Sequence, residues 1–161
     1  MVKILVGYYS NSGNTKAMAE AVAEGARSEG ADVDLKSVED VDMEELLGYD
    51  AIVLGSPTYY GVMAADVKDL IDRSVTHHGD LEGKVGGAFS SSAHIGGGNE
   101  TTILSILQAL LIHGMVVPGV ANGNHYGPVS IGKPSDDVKA ECTSYGARIA
   151  RLAERTSAKT I

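Results

Sequence analysis

Residues 3–15 read KILVGYYSNSGNT, and this stretch decides the fold. Lys3 to Tyr9 is an almost unbroken apolar run, which predicts a strand that is covered on both faces. Six small polar residues follow with no charge among them, and apolar residues at helical spacing then extend from Lys16 to Arg27. A buried strand that leads through a short loop into a helix predicts the first unit of an α/β fold.

The loop between this strand and this helix consists of Ser10, Asn11, Ser12, Gly13, Asn14 and Thr15. The N–H groups of a first helical turn lack intrahelical acceptors, and the helix dipole adds about half a positive charge there. Hydroxyl donors and a glycine at this place therefore favour the binding of a phosphate. Simple helix capping by Asn14 or Ser12 is the alternative, although capping needs one such residue rather than six.

The rest of the chain alternates predicted strands and helices. Strands are predicted at 31–38, 51–54 and 84–90, and a last strand begins at 115–117 and resumes at 129–131. Helices are predicted at 64–73, at 100–112 and from Ser135 to about Arg155, with residues 156–161 frayed. The length of 161 residues predicts a single domain, 1–161, and the alternation predicts a parallel sheet with helices on both faces.

Packing can be predicted for three of these elements. Apolar residues occur nearly all round the helix at 100–112, so we expect it to be deeply packed, with Asn99 as its cap. Gly86 and Gly87 inside a strand suggest that a helix lies close over them. Cys142 falls in the last helix, and we expect its side chain to be buried.

Composition and charge narrow the functional classes. The formal net charge of −8 argues against nucleic acid and anionic membranes as partners, and no apolar run approaches the ~20 residues of a membrane helix. One cysteine makes neither an internal disulfide nor a cysteine cluster, which favours a cytoplasmic location. The adjacent His77 and His78 predict no metal site, and we interpret the acidic residues of 39–45 as a solvated face rather than a docking patch.

Three predicted strands end in small, polar loops that contain glycine, at residues 10–15, 56–61 and 91–98. Ligands of parallel α/β sheets bind outside the carboxyl ends of the strands, so the three loops predict one site. The sequence lacks the G-x-G-x-x-G of dinucleotide folds, the Gly-Lys-Ser/Thr of P-loops and the strand-end acids of phosphoacceptor receiver domains.

A mononucleotide with a flat ring fits the three loops. Its phosphate would lie in 10–15 and its ring between 56–61 and 91–98. Either Tyr59 or Tyr60 can stack on one face of the ring, and either His94 or Ile95 can cover another side. The glycines free the backbone groups of 91–98 to contact the polar edge of the ring.

The six residues from Ser10 to Thr15 resemble the [T/S]-x-[T/S]-G-x-T phosphate loop of the flavodoxins, which hold FMN. This resemblance implies a doubly wound five-stranded parallel sheet in the order 2-1-3-4-5. It also places the Tyr60–Gly61 peptide beside the flavin, where flavodoxins have a peptide that changes orientation with redox state. The implied FMN site comprises Ser10, Asn11, Ser12, Gly13, Asn14, Thr15, Pro57, Thr58, Tyr59, Tyr60, Gly61, Ser91, Ser92, Ala93, His94, Ile95, Gly96 and Gly97.

The stretches GSPTYYG, FSSS…GGGNE and HGMVV are similar to the tryptophan-repressor-binding-protein type of NAD(P)H:quinone oxidoreductase, which has the same FMN site. That branch has longer segments where this chain has only 39–49 and 120–126, and a histidine in place of Ile112. The resemblance therefore implies a low-potential electron-transfer protein, with NAD(P)H:quinone oxidoreductase as the alternative. Expected partners are ferredoxin-like donors or oxidoreductases, or NAD(P)H and a quinone, for a monomer or homodimer.

Overall fold

The computed structural model describes residues 1–157. Strand β1 (Lys3–Tyr8) leads into helix α1 (Asn14–Ser28), and β2 (Asp32–Ser37) is followed by β3 (Ala51–Tyr59). The second half contains β4 (Val62–Met63), α2 (Ala65–Arg73), β5 (Val85–Ser92), α3 (Asn99–Ile112), β6 (Val129–Ile131) and α4 (Asp136–Ser157). Short 3-10 turns lie at Val38–Asp40, Glu44–Gly48 and Ser74–His77.

The sheet has five parallel strands in the order β2-β1-β3-β5-β6, and β4 pairs with the end of β3 in antiparallel orientation. Counting the parallel strands alone, this order is the predicted 2-1-3-4-5. The predicted flavodoxin-like fold class is therefore confirmed, and β4 is an addition that the sequence reasoning missed.

Alternate residues of β1 point into two hydrophobic cores. Ile4 and Val6 pack under α1 and α4, whereas Leu5 packs on the opposite side under α2 and α3. All three side chains are buried, as expected for a strand covered on both faces. The predicted interior placement of Cys142, between α4 and the sheet, is also confirmed.

Glycines allow the helices to approach the sheet closely. A Cβ at Gly86 would lie 3.0 Å from Leu110 of α3, and a Cβ at Gly87 would lie 2.7 Å from the hydroxyl of Tyr145 in α4. The two glycines thus face opposite sides of β5, and each admits one helix. The predicted close packing over this strand is confirmed.

Several predicted boundaries are wrong. Strands β3 and β5 continue to Tyr59 and Ser92, into the stretches predicted as loops, because both pair with neighbours over these residues. Residues 115–117 form no strand and contribute one isolated bridge, between Val116 and Val85. Helix α4 continues through the predicted frayed residues 156 and 157, and the predicted fraying of 158–161 lies outside the described residues.

Two predictions for α3 also fail. The residue at its amino end is Gly98 in a left-handed conformation, and Asn99 is already helical, with no capping hydrogen bond from a side chain. The helix is not deeply packed all round, because Leu104, Leu111 and Ile112 are exposed. A single layer of helices covers each face of the sheet. The face of α3 that points away from the sheet therefore has no partner within the described chain.

Candidate functional site

The carboxyl ends of β1, β3, β5 and β6 meet at one edge of the sheet and enclose a cleft of about 450 Å³. This volume lies within the range of small-molecule and cofactor sites. The residues that line it are Asn11, Ser12, Asn14, Thr15, Pro57, Thr58, Tyr59, Ser91, Ser92, Ala93 and Gly132. The structure therefore brings all three predicted loops together at one place.

Ten of the eleven lining residues belong to the predicted set. Gly132, which follows β6, was missed. Its N–H donates to the carbonyl of Ser92 at 2.8 Å, and its φ of +66° explains the glycine. A glycine directly after a strand that resumes at 129–131 is the signal in the sequence that could have identified it. The predicted residues that do not line the cleft are Ser10, Gly13, Tyr60, Gly61, His94, Ile95, Gly96 and Gly97.

The loop before α1 is held in shape by its own residues. Gly13 has a φ of +93° and immediately precedes the helix, and its N–H donates to Ser10 Oγ at 3.1 Å. No side chain caps the helix, so neither Asn14 nor Ser12 has the capping role that the sequence left open. The first-turn N–H groups face the same end as the exposed polar side chains of Asn11 and Ser12. This arrangement can accept an anion.

Hydroxyl groups connect the strand ends beneath the cleft. The side-chain oxygens of Thr15 and Ser91 lie 2.9 Å apart, and both residues are buried. Thr58 Oγ1 lies 3.1 Å from Ser90 Oγ and accepts a hydrogen bond from Thr102 Oγ1 at 3.0 Å. The predicted donation from Thr15 to a ligand therefore competes with a bond to its neighbour, and these hydroxyls also fix the floor of the cleft.

Residues Tyr60 and Gly61 form the turn of a hairpin between β3 and β4. Both have positive φ, of 49° and 82°, as two-residue type I′ hairpin turns require. The carbonyl of Gly61 accepts a hydrogen bond from Thr101 Oγ1 at 2.5 Å, which anchors the turn to the first turn of α3. Tyr59 lines the cleft, whereas Tyr60 points fully into solvent.

The loop after β5 is fixed at its root and exposed at its tip. Ser92 Oγ donates to the carbonyl of His94 at 3.1 Å and accepts from Asn99 Nδ2 at 3.2 Å. His94 and Ile95 at the tip are exposed and lie outside the lining of the cleft. Asn99, predicted as a helix cap, thus orients the loop through Ser92.

The cleft is electrically neutral. No charged side chain belongs to its lining among residues 1–157. Nearby, the Asp66 carboxylate, together with partial burial and Tyr59, raises the pKa of Tyr9. The rings of Tyr9 and Tyr59 meet edge to face, with centroids 6.4 Å apart. Tyr9 therefore stays protonated, and its ring supports that of Tyr59 in the lining of the cleft.

The hydrogen-bond donors and apolar side chains of the cleft suit the two parts of FMN, its phosphate and its ring. Hydroxyls, amides and backbone N–H groups surround one end, where a phosphate needs donors and no carboxylate would repel it. Pro57, Tyr59 and Ala93 provide apolar surface for a flat ring.

Residues 1–157 contain no group of three or more His, Cys, Asp or Glu side chains suited to a metal ion, and none of their helices is long and apolar enough to cross a membrane.

Comparisons with known proteins agree with this geometry. The family model described as Flavodoxin matches residues 6–101. A protein from Aquifex aeolicus named Flavodoxin is 43% identical, over 93% of this chain and 86% of that protein. A protein from Archaeoglobus fulgidus named NAD(P)H dehydrogenase (quinone) is 37% identical, over 96% of this chain and 99% of that protein.

A solved structure extends the comparison to three dimensions. The flavodoxin, WrbA-like protein from Agrobacterium tumefaciens superimposes with a TM-score of 0.82 at 29% identity, over 97% of this chain and 99% of that chain. Both resemblances found in the sequence thus have counterparts among known proteins.

Proposed function

The chain belongs to the flavodoxin family, and we propose that it holds FMN, the cofactor of that family, in the carboxyl-edge cleft and carries electrons between redox proteins. The observation that carries the proposal is the uncharged, hydroxyl-rich cleft at the meeting point of three predicted loops. FMN supplies the one- and two-electron chemistry when it is bound. The chain binds, orients and exposes it.

Residues 10–15 would hold the phosphate. Gly13 shapes the loop, and the first-turn N–H groups of α1 together with the side chains of Asn11, Ser12 and Asn14 supply the donors. Lys16, at the exposed side of the same turn, adds a positive charge in a helix turn that contains no acid. A phosphate with two negative charges would be held mainly by neutral donors.

The ring would lie between Tyr59 and the root of the loop after β5, at Ser91, Ser92 and Ala93. The tip residues His94 and Ile95, together with the hairpin residues Tyr60 and Gly61, would form the rim. A protein with a net charge of −8 disfavours additional negative charge on a bound ring, which favours a low reduction potential. The partners we propose are redox proteins that dock weakly and transiently on this rim.

The lengths of the relatives favour the carrier. The alignment with the quinone dehydrogenase from Archaeoglobus fulgidus extends over 189 positions, although 96% of this 161-residue chain is only about 155 residues. About 34 positions of that alignment therefore have no residue of this chain. With the Aquifex aeolicus flavodoxin the alignment has 159 positions for 93% of the chain, about 150 residues. The compact segments before β3 and before β6 match a carrier better than an enzyme with a substrate pocket.

NAD(P)H:quinone oxidoreductase is the second candidate, because several relatives named NAD(P)H dehydrogenase (quinone) are 36–43% identical. Either function agrees with a cytoplasmic location. The sequence has one cysteine, Cys142, which is buried and free, so the fold uses no internal disulfide that would need an oxidising compartment.

An anaerobic reductive titration of the FMN-loaded protein, followed by absorbance, separates the two functions. We expect dithionite to reduce the protein in two separate one-electron steps and NADPH to reduce it slowly or not at all. Prompt two-electron bleaching by NADPH, followed by rapid reoxidation by a quinone, would replace the carrier by the reductase. A protein that binds no FMN would contradict both.

A further inference from the structure

The loop before β6 has an Asn-Gly pair at its exposed tip. Asn122 and Gly123 are both exposed, and the base of the loop is closed by the N–H of Val120, which donates to the carbonyl of His125 at 3.0 Å. No other asparagine of the sequence is followed by glycine. Because glycine has no side chain, its backbone nitrogen is the least hindered nucleophile that can follow an asparagine.

The turn at this tip requires glycine and leaves both reacting groups unbound. Gly123 has a φ of +105°, in a left-handed region that residues with a Cβ rarely adopt. Within the described residues, neither the side-chain amide of Asn122 nor the N–H of Gly123 has a hydrogen-bond partner. The turn therefore keeps an unhindered N–H next to an amide that no other group of the described chain holds.

The four other asparagines are restrained or are followed by a larger residue. Asn14 and Asn99 are the first residues of α1 and α3, and Asn99 Nδ2 also donates a hydrogen bond to the loop after β5. Asn124 donates to the carboxylate of Glu141 through its backbone N–H and its Nδ2, at 3.3 and 2.9 Å. Asn11 is exposed, but a serine follows it. Asn122 is therefore the asparagine that the structure leaves most reactive.

Arg148, a cation without a carboxylate partner, lines the same pocket as Asn122. The pocket has a volume of about 120 Å³, and Arg151 and Glu141 also belong to its lining. Arg151 Nη1 lies 2.6 Å from Glu29 Oε1, whereas Arg148 Nη2 donates to a backbone carbonyl of the loop at 2.7 Å and makes no ion pair in the described part of the chain. The lining thus contains two positive charges and one negative charge, and one further carboxylate would balance them.

We propose that Asn122 is a site of spontaneous deamidation and that the carboxylate formed there pairs with Arg148. The deprotonated backbone nitrogen of Gly123 attacks Cγ of Asn122, the bond from Cγ to Nδ2 breaks, and the nitrogen leaves as ammonia with the proton. The two groups belong to neighbouring residues, so the attack is intramolecular. Water then adds to the cyclic imide and reopens it as aspartate or isoaspartate. The reaction needs no oxidant or reductant, and it adds one negative charge to the chain.

Site-resolved mass spectrometry of the FMN-loaded protein, incubated at mildly alkaline pH and physiological temperature, tests the modification. We expect the amide-to-acid mass change to accumulate at Asn122 at least about tenfold faster than at each of the other four asparagines. The acidic species should be absent from Asn122→Gln, because the longer side chain would have to close a larger ring. The same incubation in urea gives the rate for the unfolded chain. An Asn122 that stays unmodified, or that reacts at least about tenfold more slowly in the folded chain than in urea, would overturn the proposal.

Asn122→Asp supplies the carboxylate directly and tests the pairing. In NMR titrations, the pKa of the new carboxyl should be lower in this variant than in Asn122→Asp/Arg148→Gln, because a nearby cation favours the charged form. Arg155→Gln, at an exposed position of α4 outside the pocket, is the matched control and should leave that pKa low. An identical pKa with and without Arg148 would contradict the pairing. FMN absorbance should be the same in every variant, because no residue of this loop lines the cleft, so the test does not depend on the FMN site.

Discussion

The two edges of the sheet are built from different polar groups. At the carboxyl edge, hydroxyls and amides line an open cleft with no charged side chain among the described residues. At the amino edge, charged groups pair with one another: Lys3 Nζ lies 3.2 Å from Asp34 Oδ2, which also accepts a hydrogen bond from Tyr49 at 2.7 Å. The Tyr49 hydrogen bond, followed by Lys3, keeps the pKa of Asp34 below its usual value.

This difference shows how the polar groups at one edge of the sheet are paired within the chain, while those at the other edge are free to bind a ligand. Lys84 Nζ donates to the carbonyls of Leu47 and Tyr49, at 3.0 and 2.6 Å, so even an isolated cation at the amino edge is satisfied by the chain itself. The first-turn N–H groups at the carboxyl edge have no such internal partner. A ligand with a phosphate can supply acceptors at the carboxyl edge, whereas Lys3, Asp34 and Lys84 at the amino edge already have partners within the chain.

The largest expected effect comes from Gly13, which has a φ of +93° at the start of α1. Replacement by valine forces a β-branched residue into a left-handed conformation and distorts residues 10–15, which we propose as the phosphate site. We expect Gly13→Val to weaken FMN binding by about 100-fold, measured by fluorescence quenching of FMN.

Gly30 provides the matched control for this variant. It lies just after the other end of the same helix with a φ of +85°, and a Cβ would meet nothing within 4 Å at either glycine. Gly30→Val should cost a similar free energy of unfolding, about 1–3 kcal/mol, and leave the affinity for FMN unchanged. Equal losses of affinity in both variants would show that strain, not the phosphate loop, is responsible.

An intermediate effect is expected at Thr15, whose hydroxyl lies 2.9 Å from that of Ser91 under the cleft. Thr15→Val should cost about 1–2 kcal/mol of stability, because the buried Ser91 hydroxyl loses its partner, and should weaken FMN binding about tenfold. The double variant Thr15→Val/Ser91→Ala should regain most of the stability, measured by urea unfolding, but not the affinity.

A variant at Thr102 tests whether the loss of FMN affinity follows from the loss of stability. The Thr102 hydroxyl is equally buried and lies 3.0 Å from Thr58 Oγ1 and 2.8 Å from the carbonyl oxygen of Gly98, but it does not line the cleft. Thr102→Val should lower the free energy of unfolding without a tenfold loss of FMN affinity. If Thr102→Val weakens binding as much as Thr15→Val, the affinity depends on general rigidity rather than on the donors at the lining.

The smallest effect is a pH dependence at the amino edge. His113 is buried beside Ser74, and burial, followed by His78 and His77, lowers its pKa below the ordinary value of 6.5. The unfolded chain therefore takes up a proton near pH 6.5, whereas the folded chain does so only at lower pH. The contribution of His113 to stability is present above pH 6.5 and is lost as the pH falls through the lowered pKa.

Urea unfolding at about pH 7.5 and pH 5 measures this contribution. The wild type should lose more stability on acidification than His113→Gln, in which the amide nitrogen can still contact Ser74. FMN binding should vary with pH in the same way for both proteins, because no histidine lines the cleft in the described chain. An identical acid sensitivity of unfolding in both proteins would contradict the role of His113.

The parallel sheet and the position of the candidate cleft could be predicted from local patterns, whereas the strand order was implied by the resemblance to flavodoxins. The apolar run at Lys3–Tyr8 and the short polar loops after β1, β3 and β5 are visible in the sequence, and parallel topology brings their ends together. The predicted ends of the strands at 51–54 and 84–90 come too early, because the residues that follow, such as Thr58, Ser91 and Ser92, are small and polar. These residues are extended because they pair with β4 and β6, two strands of only two and three residues that the sequence pattern does not reveal.

Other features depend on tertiary contacts that a pattern does not contain. Gly132 reaches the cleft only because β6 pairs with the last residues of β5. The sequence of α3 is apolar on nearly all sides. This pattern does not distinguish a fully buried helix from a helix with one exposed apolar face. Side-chain assignments within the loops, such as Tyr59 at the lining and Tyr60 in solvent, follow from the direction of a hairpin turn.

The most direct test of the central claim compares FMN with riboflavin in titrations of the FMN-free protein. The two ligands share the ring and differ in the phosphate that residues 10–15 would hold. We predict tight binding of FMN and binding of riboflavin weaker by at least about 100-fold, a difference of about 2.8 kcal/mol. Equal affinities would contradict the assignment of this loop as the phosphate site.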